Sequence, residues 1–140
     1  VAELIEWSDE VLELIKAFPR GSLTLILPKA KAADPRLVKE GIGIRLASHP
    51  QARALLKDVG PLTATSANMS GHEPSSECKI AANDLGLPID AIWDGPCPGG
   101  LPSTVIRLQM NVKGEITEPM VMRGGLVSST ELNQWWMMRN

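Results

Sequence analysis

The chain has 140 residues, 44% of them apolar and 21% charged, a balance that suits one globular domain and argues against a disordered tail or a fibre. A formal charge of −2 excludes holding an extended polyphosphate by bulk electrostatics, so any nucleic-acid contact has to use a local basic patch, and the sequence displays none. No long apolar run and no secretory signal stand in the sequence, which excludes a membrane span within it.

Cys78 and Cys97 are the only cysteines; they lack Cys-x-x-Cys spacing, and His49 and His72 are the only histidines available to help make a metal site. Reduced thiols in a cytosolic protein are the expectation. The first residue is Val1 rather than Met, which points to an excerpt or a processed product.

In chain order, Ser8 is placed to cap a helix over residues 9–18, with acidic residues in its first turn and Val11, Leu12, Leu14, Ile15 and Phe18 on its apolar face. Pro19, Arg20 and Gly21 end it, and residues 23–27 read as a buried strand that stops at Pro28. Asp34 and Pro35 open a short helical turn. Residues 42–46 form the next strand, with Gly43 suited to a bulge or a close backbone approach and Arg45 near its end. A second helix spans residues 52–59, its Leu55, Leu56 and Val59 facing inward, before Gly60 breaks it. Residues 62–64 start a further strand, so strand, helix and strand alternate, which argues for a parallel pair joined by a crossover. A third helix over residues 77–85, capped from Ser75 or Ser76 and closed by Gly86, is followed by a short strand at residues 91–94 and a rigid turn-rich connection over residues 95–100. Residues 103–108 and 116–122 pair as an antiparallel hairpin around a polar turn at residues 111–114. Ser128 with Glu131 then forms a capping box for a last helix carrying Leu132, Trp135, Trp136 and Met138.

Two sets of residues are candidates for chemistry. Thr65, Ser66, Asn68 and Ser70 gather hydroxyls and an amide where a strand ends, the place where ligands sit in α/β domains; the alternative is a polar turn that satisfies its own backbone. Arg45 and Arg123 stand at strand ends, and a guanidinium grips a carboxylate or phosphate with two parallel hydrogen bonds. Arg123 precedes Gly124 and Gly125, which let backbone N–H groups approach a ligand. Arg20, in a turn, and Arg107, in a solvent-facing strand register, are set aside. Nucleophilic catalysis is a weak case: Ser66 and Ser103 lack the Gly-x-Ser-x-Gly elbow, His49 reads as a helix-cap residue, His72 as solvated, and Cys97 as a small packing residue with no cation beside it.

Five segments, in order, carry a resemblance: Gly21-Ser22-Leu23-Thr24-Leu25-Ile26-Leu27-Pro28, Gly43-Ile44-Arg45 with His49-Pro50, Thr65-Ser66-Ala67-Asn68-Met69-Ser70-Gly71, Pro102-Ser103-Thr104-Val105-Ile106, and Met122-Arg123-Gly124-Gly125. Together they resemble the YrdC-like family of threonylcarbamoyladenylate synthases (TsaC), in its short single-domain form. The resemblance implies an α/β fold, a twisted open mixed sheet with helices packed on it (YrdC/RibB-like), over a single domain 1–140 with its N-terminal portion absent. It implies a cytoplasmic nucleotidyltransferase that joins L-threonine, bicarbonate and ATP into threonylcarbamoyl-AMP and releases pyrophosphate, with Mg²⁺ bound through the phosphates. A transfer complex then places the group on tRNA. Matched position by position, Arg45, Ala64 and Ser103 hold the threonine moiety and Ser66, Pro74 and Arg123 contact the nucleotide, with Thr65, Asn68 and Ser70 supporting the loop.

The chain departs from the family pattern in places. The Tyr-Pro-Thr-Glu-Thr-like strand and the Lys-x-Arg element that begin the family have no counterpart before Gly21, so the chain as given is expected to be catalytically incomplete. Arg20 and Ser22 replace the two prolines of a Pro-Gly-Pro turn, which is expected to loosen it, and Gly41 stands where a side chain more often reaches toward ATP. Two other readings compete: an RNA-binding module without catalysis, against which the slightly acidic balance speaks, and the YrdC-like domain of a carbamoyltransferase of the HypF type, against which the lack of acylphosphatase and zinc-finger segments speaks.

Overall fold

Alternation in the sequence Leu-Thr-Leu-Ile-Leu decides the layout of the whole sheet. In the computed structural model, which describes residues 5, 7–28, 30, 41–88, 90, 92–93, 95 and 99–139, this stretch is the strand β1 (Leu23–Leu27), and its burial alternates residue by residue. Successive side chains of a strand point to opposite faces, so Leu23, Leu25 and Leu27 enter the core while Thr24 and Ile26 occupy the other face, half-buried.

Before β1 runs the helix α1 (Asp9–Ala17), capped by Ser8, whose Oγ accepts from the Val11 N–H at 3.4 Å. Asp9 and Glu10 in its first turn and Lys16 in its last complement the helix dipole. Its Val11 and Leu14 are fully buried. After β1 come β2 (Ile42–Ile44) and the helix α2 (Pro50–Val59), then α3 (Cys78–Asp84), β3 (Thr104–Arg107), β4 (Met120–Arg123) and α4 (Ser129–Arg139).

The four strands form one mixed sheet in the order β2-β1-β3-β4. β1 pairs parallel with β3 (Leu23 opposite Thr104, Leu25 opposite Ile106) and antiparallel with β2, and β3 pairs antiparallel with β4 across an irregularity at Val105/Ile106. One face of this sheet, through Leu23, Leu25, Leu27 and Ile106, joins Val11 and Leu14 of α1 and Leu132 of α4 in the core, with Trp135 and Trp136 packed at its margin. Each such aliphatic side chain removed from water contributes about 1.5–3 kcal/mol, so the helices are held to that face and not to the other.

Side-chain hydrogen bonds close the connections. Asn111 Oδ1 accepts from the N–H groups of Lys113 and Glu115 at 2.8 and 3.0 Å, which folds the turn of the β3–β4 hairpin, and Met110 bridges Ile116 beyond it. The Ser128–Glu131 capping box forms as expected: the Ser128 N–H donates to Glu131 Oε2 at 2.8 Å and the Glu131 N–H to Ser128 Oγ at 3.2 Å. Glu10 of α1 accepts both from the Ile116 N–H, at 2.5 Å, and from the Arg139 guanidinium, which also lies 5.6 Å from the centre of the Trp135 ring. The two ends of the chain's helical layer are thereby tied to the hairpin.

Several expectations are corrected. Residues 62–64 form no strand and are exposed; hydrophobic and β-branched residues make a strand only where an edge is available to pair. With no strand at residues 62–64, β2 has no partner there and the expected crossover pair is absent; β2 pairs antiparallel with β1, and the parallel pair is β1–β3. The hairpin's second strand covers Met120–Arg123 and not residues 116–122, because the ladder narrows to a single bridge at Ile116. α2 starts at Pro50 and buries none of its residues: Leu55 is 37% exposed and Val59 56%. His49 holds its N-cap position without a side-chain cap bond. α3 is capped at Glu77, since Ser75 spends its hydroxyl on the Glu77 backbone one step too early. The expected turn at Asp34-Pro35, Ala91 and Asp94 of the strand expected at residues 91–94, and Cys97 lie outside the described residues; Ile92 and Trp93 are described and are not in a strand.

The chain divides into two compact units. The first, Val1–Pro61 with Leu101–Asn140, contains the sheet, α1, α2 and α4; the second, Leu62–Gly100, contains α3, whose Ala81 and Ala82 are buried. Gly86 closes α3 at φ 64, with the Leu87 N–H returning to the Ala82 carbonyl at 2.8 Å.

Candidate functional site

Opposite the core, the sheet of the first unit presents a polar face. Period-two alternation and the strand registers place Thr24, Gly43, Ser103, Val105, Arg107 and Arg123 on it. Ser103 and Thr104 are adjacent and both buried, at 4% and 0%, yet they serve opposite faces. Thr104 turns inward, where its Oγ1 donates to the Val127 carbonyl at 2.6 Å and accepts from the Val127 N–H at 2.9 Å. Ser103 turns to the polar face, where its Oγ lies 2.8 Å from Thr24 Oγ1.

Arg123 joins this pair. It stands opposite Val105 at the end of β4, and its Nη2 donates to the Ser103 carbonyl at 2.9 Å and to Ser103 Oγ at 3.4 Å. The guanidinium is anchored along one edge while the residue remains exposed, which leaves donors of its planar fork for an anion. Residue type alone does not single out Thr24 in the sequence. The signal that marks it is its place in an inward-outward alternation, which puts a hydroxyl among Leu and Ile on the face away from the core.

Of the two glycines after Arg123, Gly124 has nothing within 4 Å of a notional Cβ, whereas Gly125 has a use its sequence does not suggest. A Cβ on Gly125 would fall 2.2 Å from the Pro102 carbonyl oxygen and 2.7 Å from the Ser103 carbonyl carbon, so Gly125 permits the close approach of two chain segments and not of a ligand. The Leu126 N–H donates to the Pro102 carbonyl at 2.9 Å, sealing that contact. Nor is the turn before β1 loosened by Ser22: its Oγ donates to the Pro19 carbonyl at 2.6 Å, beside the Ser22 N–H at 3.0 Å. The Ser22 carbonyl then accepts from the Thr104 N–H at 2.8 Å. A hydroxyl supplies by hydrogen bonding the closure a proline supplies by ring geometry. Arg107 is half-buried, not solvent-facing as expected.

The remaining candidates are more dispersed. Arg45 is the first residue past β2, exposed, and makes no hydrogen bond or ion pair among the described residues. In the second unit Ala64, Thr65, Ser66, Ser70 and Pro74 are all exposed loop residues. Asn68 is the organiser of that loop: its Nδ2 donates to the Met69 carbonyl at 3.1 Å and the His72 carbonyl at 2.7 Å. Two carbonyl neighbours fix which end of the amide carries the nitrogen. Its Oδ1 is closed off from solvent with no hydrogen bond among the described residues. Asn68 also borders a cleft of about 270 Å³ shared with His72, Glu73 and Asp84; Ser66 and Pro74 are not in its wall. His72 is exposed, as expected. Among the described residues no group of three or more His, Cys, Asp or Glu side chains converges on a metal position.

A family model named for Sua5, YciO and YrdC, and described as "Telomere recombination", matches residues 1–125. The chain belongs to the Sua5/YciO/YrdC family. Among relatives of the family, the threonylcarbamoyl-AMP synthase of Bacillus subtilis is 36% identical over 129 residues, covering 89% of this chain and 36% of that protein. The threonylcarbamoyl-AMP synthase of Schizosaccharomyces pombe is likewise 36% identical over 129 residues, covering 86% of this chain and 30% of its own length. The chain thus spans about a third of these two relatives. Solved structures of the family agree on the fold: P. abyssi Sua5 complexed with L-threonine superposes with a TM-score of 0.71 at 28% identity, covering 94% of this chain and 38% of that one. E. coli YciO superposes with a TM-score of 0.71 at 27% identity, covering 94% and 63%. The mixed sheet with packed helices expected from the sequence is therefore the family fold.

Proposed function

We propose that this chain carries part of the site that forms threonylcarbamoyl-AMP from L-threonine, bicarbonate and ATP. The observation that carries the reading is the guanidinium of Arg123 anchored to Ser103 on the polar face of the sheet, in a chain 36% identical to two relatives named for that synthesis. One of the solved relatives holds L-threonine.

The chemistry needs positioning and charge stabilisation more than proton transfer. Threonine's amine and bicarbonate give a carbamate with loss of water. A carbamate oxygen then bonds to the α-phosphorus of ATP while the bond to the bridging oxygen breaks, and pyrophosphate leaves with that electron pair. A nucleotidyl transfer of this kind is accelerated by groups that hold the attacking oxygen in line and take up phosphate charge. Arg123 fits the second task, since a guanidinium fixed along one edge loses little freedom on binding an anion. Arg45, Ala64 and Ser103 take the threonine moiety and Ser66, Pro74 and Arg123 the nucleotide. Mg²⁺ carried by the nucleotide phosphates suits a site of this composition, because it keeps most of its own water shell. The product is consumed by a complex that transfers the threonylcarbamoyl group to tRNA, which makes the protein's place the cytoplasm.

The test is pyrophosphate release by the natural full-length protein. Release is expected only when ATP, L-threonine and bicarbonate are all present; release without threonine, or none with all three, overturns the reading.

A further inference from the structure

Counting hydrogens on the polar face leads to one residue further. Ser103 Oγ and Thr24 Oγ1 lie 2.8 Å apart, and either can be the donor. Between them they own two hydroxyl hydrogens, and one bond between them uses one. Ser103 Oγ also receives Arg123 Nη2 at 3.4 Å. Suppose Thr24 were the donor. Ser103 would then accept twice, and its own hydrogen would be left in a residue only 4% exposed, with no acceptor for it among the described residues; an unmet buried donor is costly. With Ser103 as donor the chain runs from Arg123 to Ser103 to Thr24, and the one spare hydrogen sits on Thr24. Thr24 is the more open of the two, half-buried on the face away from the core.

We infer that Thr24 is a substrate-contacting residue: its hydroxyl, polarised by the Arg123–Ser103–Thr24 relay, donates to an anionic oxygen of the threonine-derived substrate. The inference rests on the reading of Ser103 as part of the threonine subsite. Charge assistance explains the order. A cation at the head of the relay increases the donor strength of each hydroxyl after it, and a carboxylate or carbamate oxygen is the acceptor that gains most from a strengthened O–H. The side chain's shape fits the same role. The methyl of Thr24 lies toward Gly43, 3.9 Å from where a Cβ on that glycine would stand, so the β-branch fixes the rotamer and aims the hydroxyl at Ser103. Serine could supply the hydroxyl but not that restraint.

The experiment is calorimetric titration of the natural full-length protein with L-threonine and, separately, with ATP, for the wild type and for Thr24→Val, Thr24→Ser and Ser103→Ala. Valine keeps the shape and favours a strand, so melting temperature should stay near the wild-type value. Thr24→Val is expected to weaken L-threonine about tenfold, the loss of one hydrogen bond to a charged group, with ATP affinity unchanged; Thr24→Ser is expected within about threefold of the wild type. Thr24→Ala repeats the loss of hydroxyl should valine disturb folding. Wild-type threonine affinity in Thr24→Val beside a loss in Ser103→Ala overturns the inference alone. Equal losses for both ligands together with a lowered melting temperature overturn it too, by reducing Thr24 to a structural part. Unchanged threonine affinity in Ser103→Ala, or no threonine binding by the wild type, overturns the threonine subsite itself and the inference with it.

Discussion

Gly125 and Pro102 meet so closely that a Cβ on the glycine would stand 2.2 Å from the proline's carbonyl oxygen. The contact joins the segment after β4 to the segment before β3, which is how Arg123 and Ser103 come to share a hydrogen bond. Gly125→Ala is expected to destabilise the protein by about 3 kcal/mol, the upper part of the range for overpacking, since backbone and not a yielding side chain is struck. Gly124, with nothing within 4 Å of its notional Cβ, is the matched control. Gly124→Ala should be neutral or stabilising by up to about 1 kcal/mol through the unfolded chain. Denaturant unfolding of the two variants decides it.

Thr104 makes a second prediction. Its hydroxyl both donates to and accepts from the backbone of Val127 at full burial. Thr104→Val keeps the volume but leaves a buried carbonyl and a buried N–H unmet, with an expected loss of about 2–3 kcal/mol. Thr104→Ser, which retains the bonds, should recover most of it. A thermal melt in which valine and serine behave alike would remove the clamp from the account.

Arg123 is exposed, so its removal should cost little stability while striking the ligand. Arg123→Ala is expected to weaken ATP binding at least tenfold, and Arg123→Lys to recover only part, because an ammonium cannot reproduce the two-pronged grip on phosphate. Equal ATP affinity in the wild type and the alanine variant takes Arg123 out of the site.

The capping box of α4 gives a pH dependence. Hydrogen bonds from the Ser128 side chain, and next from its backbone, hold the Glu131 carboxyl below its ordinary value. A carboxyl depressed in the folded state contributes stability above its unfolded value, about 4.3, and loses that contribution as pH falls through the folded value. The difference in melting temperature between the wild type and Glu131→Gln should therefore be small but present at pH 7 and shrink as pH drops below about 4. A constant difference across that range would contradict it.

How far the sequence speaks depends on whether the deciding interaction is local. The ends of α1, the turn at Asn111 and the Ser128–Glu131 box are set by residues within four positions of each other, and each is legible. So is β1, because its alternation is written in consecutive residues. The strand expected at residues 62–64 fails because pairing, not composition, makes a strand, and composition cannot name the partner. Leu55 and Val59 of α2 follow a helical apolar pattern but stay exposed, since periodicity marks a face without saying what covers it. In the site, the motifs bring out Ser103 and Arg123 as single residues; that they touch each other depends on Gly125, whose neighbour lies 23 positions away. Thr24 is not legible for the same reason, its partner standing just before a strand and 79 residues distant.

The adjacent pair Ser103-Thr104 gives each face of the sheet one hydroxyl with a fixed duty. A slip of β3 by a single residue along β1 would exchange them, sending the Ser103 hydroxyl into oil and the Thr104 clamp into water. A chain that pairs its strands wrongly therefore forfeits the clamp on the segment leading into the last helix at the same moment as the Arg123–Ser103 contact. Strand register and the polar face are thus secured by one and the same pairing.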